Sequence, residues 1–292
     1  MIQRLTVFSL LLASFVIAQP ALSQRDDLAQ RDVYLGLWNE SGPDVRDVKQ
    51  VSVLNCWADA SALAVLIAST DWMENLFHYG NGAPMVNTSW PQDASVQVTL
   101  WNPNDLAAPP TVQTASVYNK STTEDHPDGN WWHDAISQSL LSIGTRYPYP
   151  GVIASNGTWD PNRGSAEYGL SILTGYPTSS KLRANYSDVD EFFDDLSKAR
   201  GGTPVIFNTV DEKVIKRSTP MMGWGHDYAV YNGTDLGNGT RLVYARNSWG
   251  ETDGFDLQTV WENTYQIIHL KEWNVLQWPG HNNTEAQQGS RR

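Results

Sequence analysis

Apolar positions recur at two spacings along this chain, and the change from one to the other divides it. After Asn55, a good N-cap residue, the run Cys56, Ala58, Ala60, Ala62, Leu63, Ala64, Val65, Leu66, Ile67, Ala68 predicts a buried helix continuing toward Trp72, Leu76 and Phe77. Val96–Leu100 alternates and predicts a strand. Asn102-Pro103-Asn104-Asp105 supplies a turn, and Val112–Tyr118 a return strand. Asn130 caps a predicted helix whose buried face carries Trp131, Ala135, Ile136, Leu140 and Leu141. A Gly-, Pro- and Tyr-rich loop follows, up to Arg163. Ser165–Leu173 is the next helix, stopped by Gly175 and Pro177, and Ser187 or Asp188 caps another that carries Val189, Phe192, Phe193 and Leu196 up to Gly201-Gly202. From there the pattern is that of strands: Pro204–Phe207, Tyr228–Tyr231, Leu242–Asn247 and Tyr265–Leu270. The class expected is α+β, a helical part over 24–177 followed by a strand-rich part over 178–278, with no internal repeat.

The ends of the chain read differently. Arg4, the apolar run Leu5–Ala18 and the small residues Ala21-Leu22-Ser23 predict a secretory signal peptide over 1–23, because the apolar run is too short to span a bilayer. Residues 24–48 read as a polar tail leading into the domain, and 279–292 as a disordered tail. Asn39, Asn87, Asn119, Asn156, Asn185, Asn232, Asn238 and Asn282 each head an Asn-x-Ser/Thr triplet, so a secreted, extracellular glycoprotein is expected. The net charge is −12, and loss of Arg4 makes it −13. A balance this acidic excludes nucleic acid and anionic membranes as partners, since no basic patch is there to neutralise phosphates. A monomer is expected.

Cys56 is the only cysteine among 292 residues, so no internal disulfide exists. A lone cysteine is most often a small core residue. Here it starts a helix, where orphan N–H groups and the positive dipole end favour a thiolate. A cysteine nucleophile needs a base, a group that orients the base, and donors for the developing oxyanion. Among six histidines, His226 stands apart, between Gly223-Trp224-Gly225 and the strand Tyr228–Tyr231. Asn247 ends the next strand, where it can accept the ring N–H of His226 while Trp249 covers that bond. Gln50 can donate its amide beside the Cys56 backbone N–H.

The ordered set Gln50, Cys56-Trp57, Gly225-His226 and Arg246-Asn247-Ser248-Trp249-Gly250 resembles the papain-like cysteine peptidases, and within them the calpain-type catalytic core, over roughly residues 45–272. Leu170–Gly175 and Lys198-Ala199-Arg200-Gly201-Gly202 are similar to calpain segments too. The resemblance implies a two-lobed fold, with the nucleophile on the helical lobe and His/Asn on the strand-rich lobe. It implies an endopeptidase acting on proteins or peptides through a thioester: Cys56 as nucleophile, His226 as base, Asn247 as orienter, Gln50 in the oxyanion hole, Trp57 and Trp249 in support. The calpain loop reads Gln-Gly-x-Leu-Gly-Asp-Cys-Trp, and Val51 and Leu54 occupy its glycine positions here. Asp227 stands where a small residue is usual. Calpain cores bind Ca²⁺, yet no ligand set for it, no EF-hand loop and no zinc cluster can be picked out of the sequence. Two other readings stay open: another acyl-transfer enzyme on this scaffold, and a non-catalytic binding module.

Overall fold

The computed structural model describes residues 36–50, 55–86, 93–117, 130–147, 164–273 and 276–278. The expected signal peptide, the tail 279–292, most of the loop before Arg163, and Val51 and Leu54 lie outside them. Among the described residues there are six α-helices: α1 (Cys56–Ala68), α2 (Thr70–Asn75), α3 (Trp132–Arg146), α4 (Ala166–Thr174), α5 (Val189–Ser197) and α6 (Leu257–Asn263). The strands are β1 (Phe77–Tyr79), β2 (Ser95–Leu100), β3 (Thr111–Ser116), β4 (Thr178–Leu182), β5 (Val205–Thr209), β6 (Asp227–Asp235), β7 (Arg241–Asn247), β8 (Thr252–Asp256) and β9 (Thr264–Leu270). The class is α+β, with an antiparallel three-stranded sheet β1-β2-β3 and a six-stranded sheet β4-β9-β5-β6-β7-β8.

Strand alternation explains how the larger sheet serves two cores. Val205, Phe207, Tyr228, Val230 and Ile267 pack with Phe192, Phe193, Leu196 and Val260 of α5 and α6. The residues between them, Ile206, Ala229 and Ile268, join the core built by α1–α4 and the small sheet. Helix α1 therefore packs against β6 and against α4. The approach to α4 depends on Gly169, where an added Cβ would lie 2.4 Å from Ser61 Oγ. Ser61 Oγ donates back to the Trp57 carbonyl at 2.7 Å and lies 3.3 Å from that of Ala166 across the crossing. An apolar, small-residue helix with one hydroxyl turned onto backbone is what such a close crossing needs.

Several expected elements are drawn differently. Helix α1 does not run on to Phe77: Ser69 leaves the helix at φ −161° and its Oγ accepts the Trp72 N–H, starting α2 afresh. Phe77 is already in β1. Asn130 does not cap α3; Trp131 holds that position, and Asn130 Nδ2 donates instead to Asp47 Oδ1 at 2.8 Å. Residues 36–48 are not a tail. Leu37, Trp38 and Val48 are fully buried, and Asp47 also accepts the Trp132 indole N–H at 2.6 Å, tying this segment to α3. Strands β4 and β8 form the two edges of the larger sheet, where polar sequences such as Thr178-Ser179-Ser180 carry no alternation to read. Among the described residues no helix is long and apolar enough to cross a membrane.

Candidate functional site

Cys56 opens α1, with the Asn55 carbonyl accepting from Ala58 and Asp59 in the first turn. Asn55 sits at the N-cap position, but its side chain makes no capping bond. Its Oδ1 accepts Gln50 Nε2 at 3.1 Å instead, and both side chains are buried. Trp57, expected in support of the site, is buried. Its indole lies so close to Gly164 that a Cβ there would be 2.0 Å away.

His226 precedes β6. Gly225 just before it has φ +54°, a conformation costly for any residue with a Cβ. The His226 backbone donates to Thr209 Oγ1 at 2.9 Å and its carbonyl accepts the Thr209 N–H, which fixes the ring's origin. Trp249 stacks on the imidazole with centroids 4.1 Å apart and planes 19° apart. That stacking leans on Gly223, where a Cβ would meet the Trp249 ring at 2.7 Å.

The expected bond from His226 to Asn247 is not made. Asn247 pairs with Tyr228 in the sheet, but its Nδ2 donates to Glu251 Oε2 and its Oδ1 accepts the Glu251 N–H, so both ends of the amide close the turn 247–251. Ser248 takes the place beside the imidazole. Its Oγ donates to Gln50 Oε1 at 2.7 Å and lies 3.4 Å from His226 Nε2. The Gln50 backbone N–H also reaches the Ser248 carbonyl at 2.6 Å. A hydroxyl has one proton, and this one goes to Gln50; toward His226 it can then only accept. The chain Asn55–Gln50–Ser248–His226 thus selects the Nε2–H tautomer and leaves Nδ1 with a lone pair. Ser248 stands inside the Asn-Ser-Trp-Gly segment, but nothing in the residue pattern marks it over Asn247.

The expectation of a thiolate at Cys56 does not hold for this arrangement. Cys56 keeps part of its surface in solvent, yet burial of the thiol, followed by the negative charges of Asp227 and Asp59, pushes its pKa up to about 12. The Asp227 and Trp57 backbone N–H groups, which point at the sulfur, offset only part of this. Burial also lowers His226 to about 4, so at neutral pH the two groups are thiol and neutral imidazole. Among the described residues no hydrogen bond joins Cys56 to His226. Asp227 is itself buried, which raises its carboxyl to about 6 against a stabilising bond from Asn208.

Of the Asn-x-Ser/Thr positions, Asn185 and Asn238 are exposed, and Asn39 and Asn232 are half-buried with Oδ1 bonded to Ser41 and Thr234. Asn87, Asn119, Asn156 and Asn282 lie outside the described residues. No group of three or more His, Cys, Asp or Glu side chains that could hold a metal gathers among the described residues. No protein-family model matches the chain, and no curated protein matches it.

Proposed function

We propose that the chain is a secreted cysteine endopeptidase of papain-like, calpain type. The observation that carries this reading is the relay Asn55–Gln50–Ser248–His226, which joins the residue before the lone cysteine to an imidazole with a free Nδ1. Cys56 Sγ attacks the scissile carbonyl, and because thiol and imidazole start neutral, its proton passes to His226 Nδ1 as the S–C bond forms. The oxyanion is met by the Cys56 backbone N–H and the Gln50 amide. The imidazolium then protonates the leaving amine, and the same base activates the water that hydrolyses the thioester. Trp249 shields the ring from water, and Asn247 serves by holding the turn that presents Ser248 and Trp249. In this reading the helical part and the part from Thr178 onward are the two lobes.

Calcium enters this reading only through the resemblance, with no ligand set assigned to it. The Asp190 and Asp235 carboxylates, which share a surface hollow, are both bonded by Arg241. The substrate is a protein or peptide chain, and the exposed triplets at Asn185 and Asn238, with the signal peptide expected over 1–23, support a site of action outside the cell.

Incubation with a reduced, carboxymethylated protein separates peptide hydrolysis from other acyl transfers. New α-amino termini, one for each bond cut, are expected. Release of ammonia or acyl transfer to added amines, without new termini, would put another acyl-transfer enzyme in its place.

A further inference from the structure

We propose that Asp227 is a positioning residue that governs the ionisation of Cys56, so that the thiolate forms while the Asp227 carboxyl is protonated and is held back once it ionises. The inference rests on reading Cys56 as a reactive thiol. The placement comes from the sheet. Asp227 opens β6 opposite Asn208 of β5, and these two residues share the face that carries Ala229 and Ile206, the face turned to α1. His226 and Tyr228 contact each other edge to face on the other side, with Phe207 and Phe255. Asp227 is only 5 % exposed, and Asn208 Nδ2 donates to its Oδ1 at 2.9 Å. Its own backbone N–H points at the Cys56 sulfur, and its carboxylate is near enough to weigh on the thiol.

The polar and titratable groups that bear on the pair Asp227 and Cys56 are Asn208 of β5, bonded to the carboxyl, and Asp59, on α1 with Cys56, while the neighbouring His226 and Tyr228 side chains lie on the other face of the sheet. Asp59 lies one turn beyond Cys56 and faces His133 Nε2 at 3.4 Å. Among the described residues no lysine or arginine pairs with Asp227. The sulfur therefore ionises between two carboxylates, and His226 remains uncharged at the pH values where a counter-charge would help.

A particular pH profile follows. Below about pH 6 the Asp227 carboxyl is neutral, and each unit of pH raises the thiolate population tenfold. Above that point each unit also ionises Asp227, which opposes the thiolate, and the two effects cancel. The population stays level over as many pH units as the carboxylate raises the thiol's pKa, and then rises again. Over the level stretch the main species is thiol beside carboxylate, and the small thiolate population is the tautomer in which the proton has moved from sulfur to Asp227, a fraction that pH does not change.

The test is the iodoacetamide alkylation rate of the whole chain between pH 5 and 9, read by mass. With a single cysteine all thiol labelling is at Cys56. The wild-type rate is expected to rise, level off near pH 6 over about half to one pH unit, and then resume its rise. Asp227→Asn should give one unbroken slope and a rate at pH 7.5 about three- to tenfold higher, since one pKa unit is tenfold and the lower-pKa thiolate is the weaker nucleophile. Asn208→Ala removes the bond that favours the ionised carboxyl and should move the break to higher pH, which keeps the test open if the first variant folds poorly. A wild-type profile with no break, or a break unmoved by either substitution, would overturn the proposal. Labelling needs no substrate. A chain that alkylates as described yet leaves proteins uncut would sink the peptidase reading alone, and one that cuts proteins with an unbroken alkylation slope would sink this inference alone.

Discussion

Cys56→Ala is expected to bring hydrolysis of an unfolded protein down to background, and His226→Ala to lower kcat/KM by about 10²–10⁴, the range a positioned acid–base group supplies. The two losses differ in kind. Without Cys56 there is no nucleophile and no thioester; without His226 the thiol must lose its proton unaided. Burial and the nearby carboxylates hold that thiol at about 12, so little thiolate is present at neutral pH to act alone. The same geometry ranks two neighbours. Ser248→Ala removes the acceptor of His226 Nε2–H and the donor to Gln50, so it should cost more than Asn247→Ala, whose side chain is bonded to Glu251. Steady-state rates on one peptide substrate, with near-ultraviolet circular dichroism to verify folding, give the ranking. Equal activity of Cys56→Ala and wild type would contradict it.

Asp227→Asn is expected to stabilise the fold at neutral pH and to do little in acid. Burial raises the Asp227 carboxyl from 3.8 to about 6. A group whose value is raised on folding contributes stability that is full below its unfolded value and is lost as pH rises through its folded one. Asp227 thus withdraws roughly 3 kcal/mol between pH 4 and 7, to the order of magnitude that a shift of this size allows. His226 works in the opposite sense: depressed from 6.5 to about 4, it contributes stability present above 6.5 and lost as pH falls through 4. Between pH 4 and 6 the two nearly cancel in the wild-type chain, so only the variant exposes either one. Urea unfolding at pH 4 and 7.5 should show the advantage of Asp227→Asn growing by about that amount; a difference independent of pH would mean that the carboxyl does not titrate in this range.

Much of the scaffold could be read from residue pattern, because its signals are local. The β2–β3 hairpin follows from alternation with turn residues between, α4 from Ser165 and Gly175 at its ends, and α5 from Asp188, whose Oδ1 accepts from Asp190 and Glu191. Strands β5, β6, β7 and β9 are apolar enough to be found without partners. The edges β4 and β8 are not, and the burial of Leu37, Trp38 and Val48 depends on α3 and the core arriving from far along the chain. The site divides in the same way. Cys56, His226 and Trp249 can be picked out by type and spacing, whereas Asn55 and Asn247 are each claimed by a partner that local pattern does not rank, Gln50 for one and Glu251 for the other. The state of the thiol was the least legible feature. A helix start argues for a thiolate, and only the folded chain sets two carboxylates and a burial penalty against it.

In the proposed mechanism Cys56 carries the acyl group during turnover. Acid-quenched intact mass of the whole chain, mixed with excess of an activated peptide ester, measures this directly. An added acyl mass is expected that maps to the peptide containing Cys56 and is absent from Cys56→Ala. Product accumulating with no acyl mass on the chain, or with the acyl group on another residue, would contradict it.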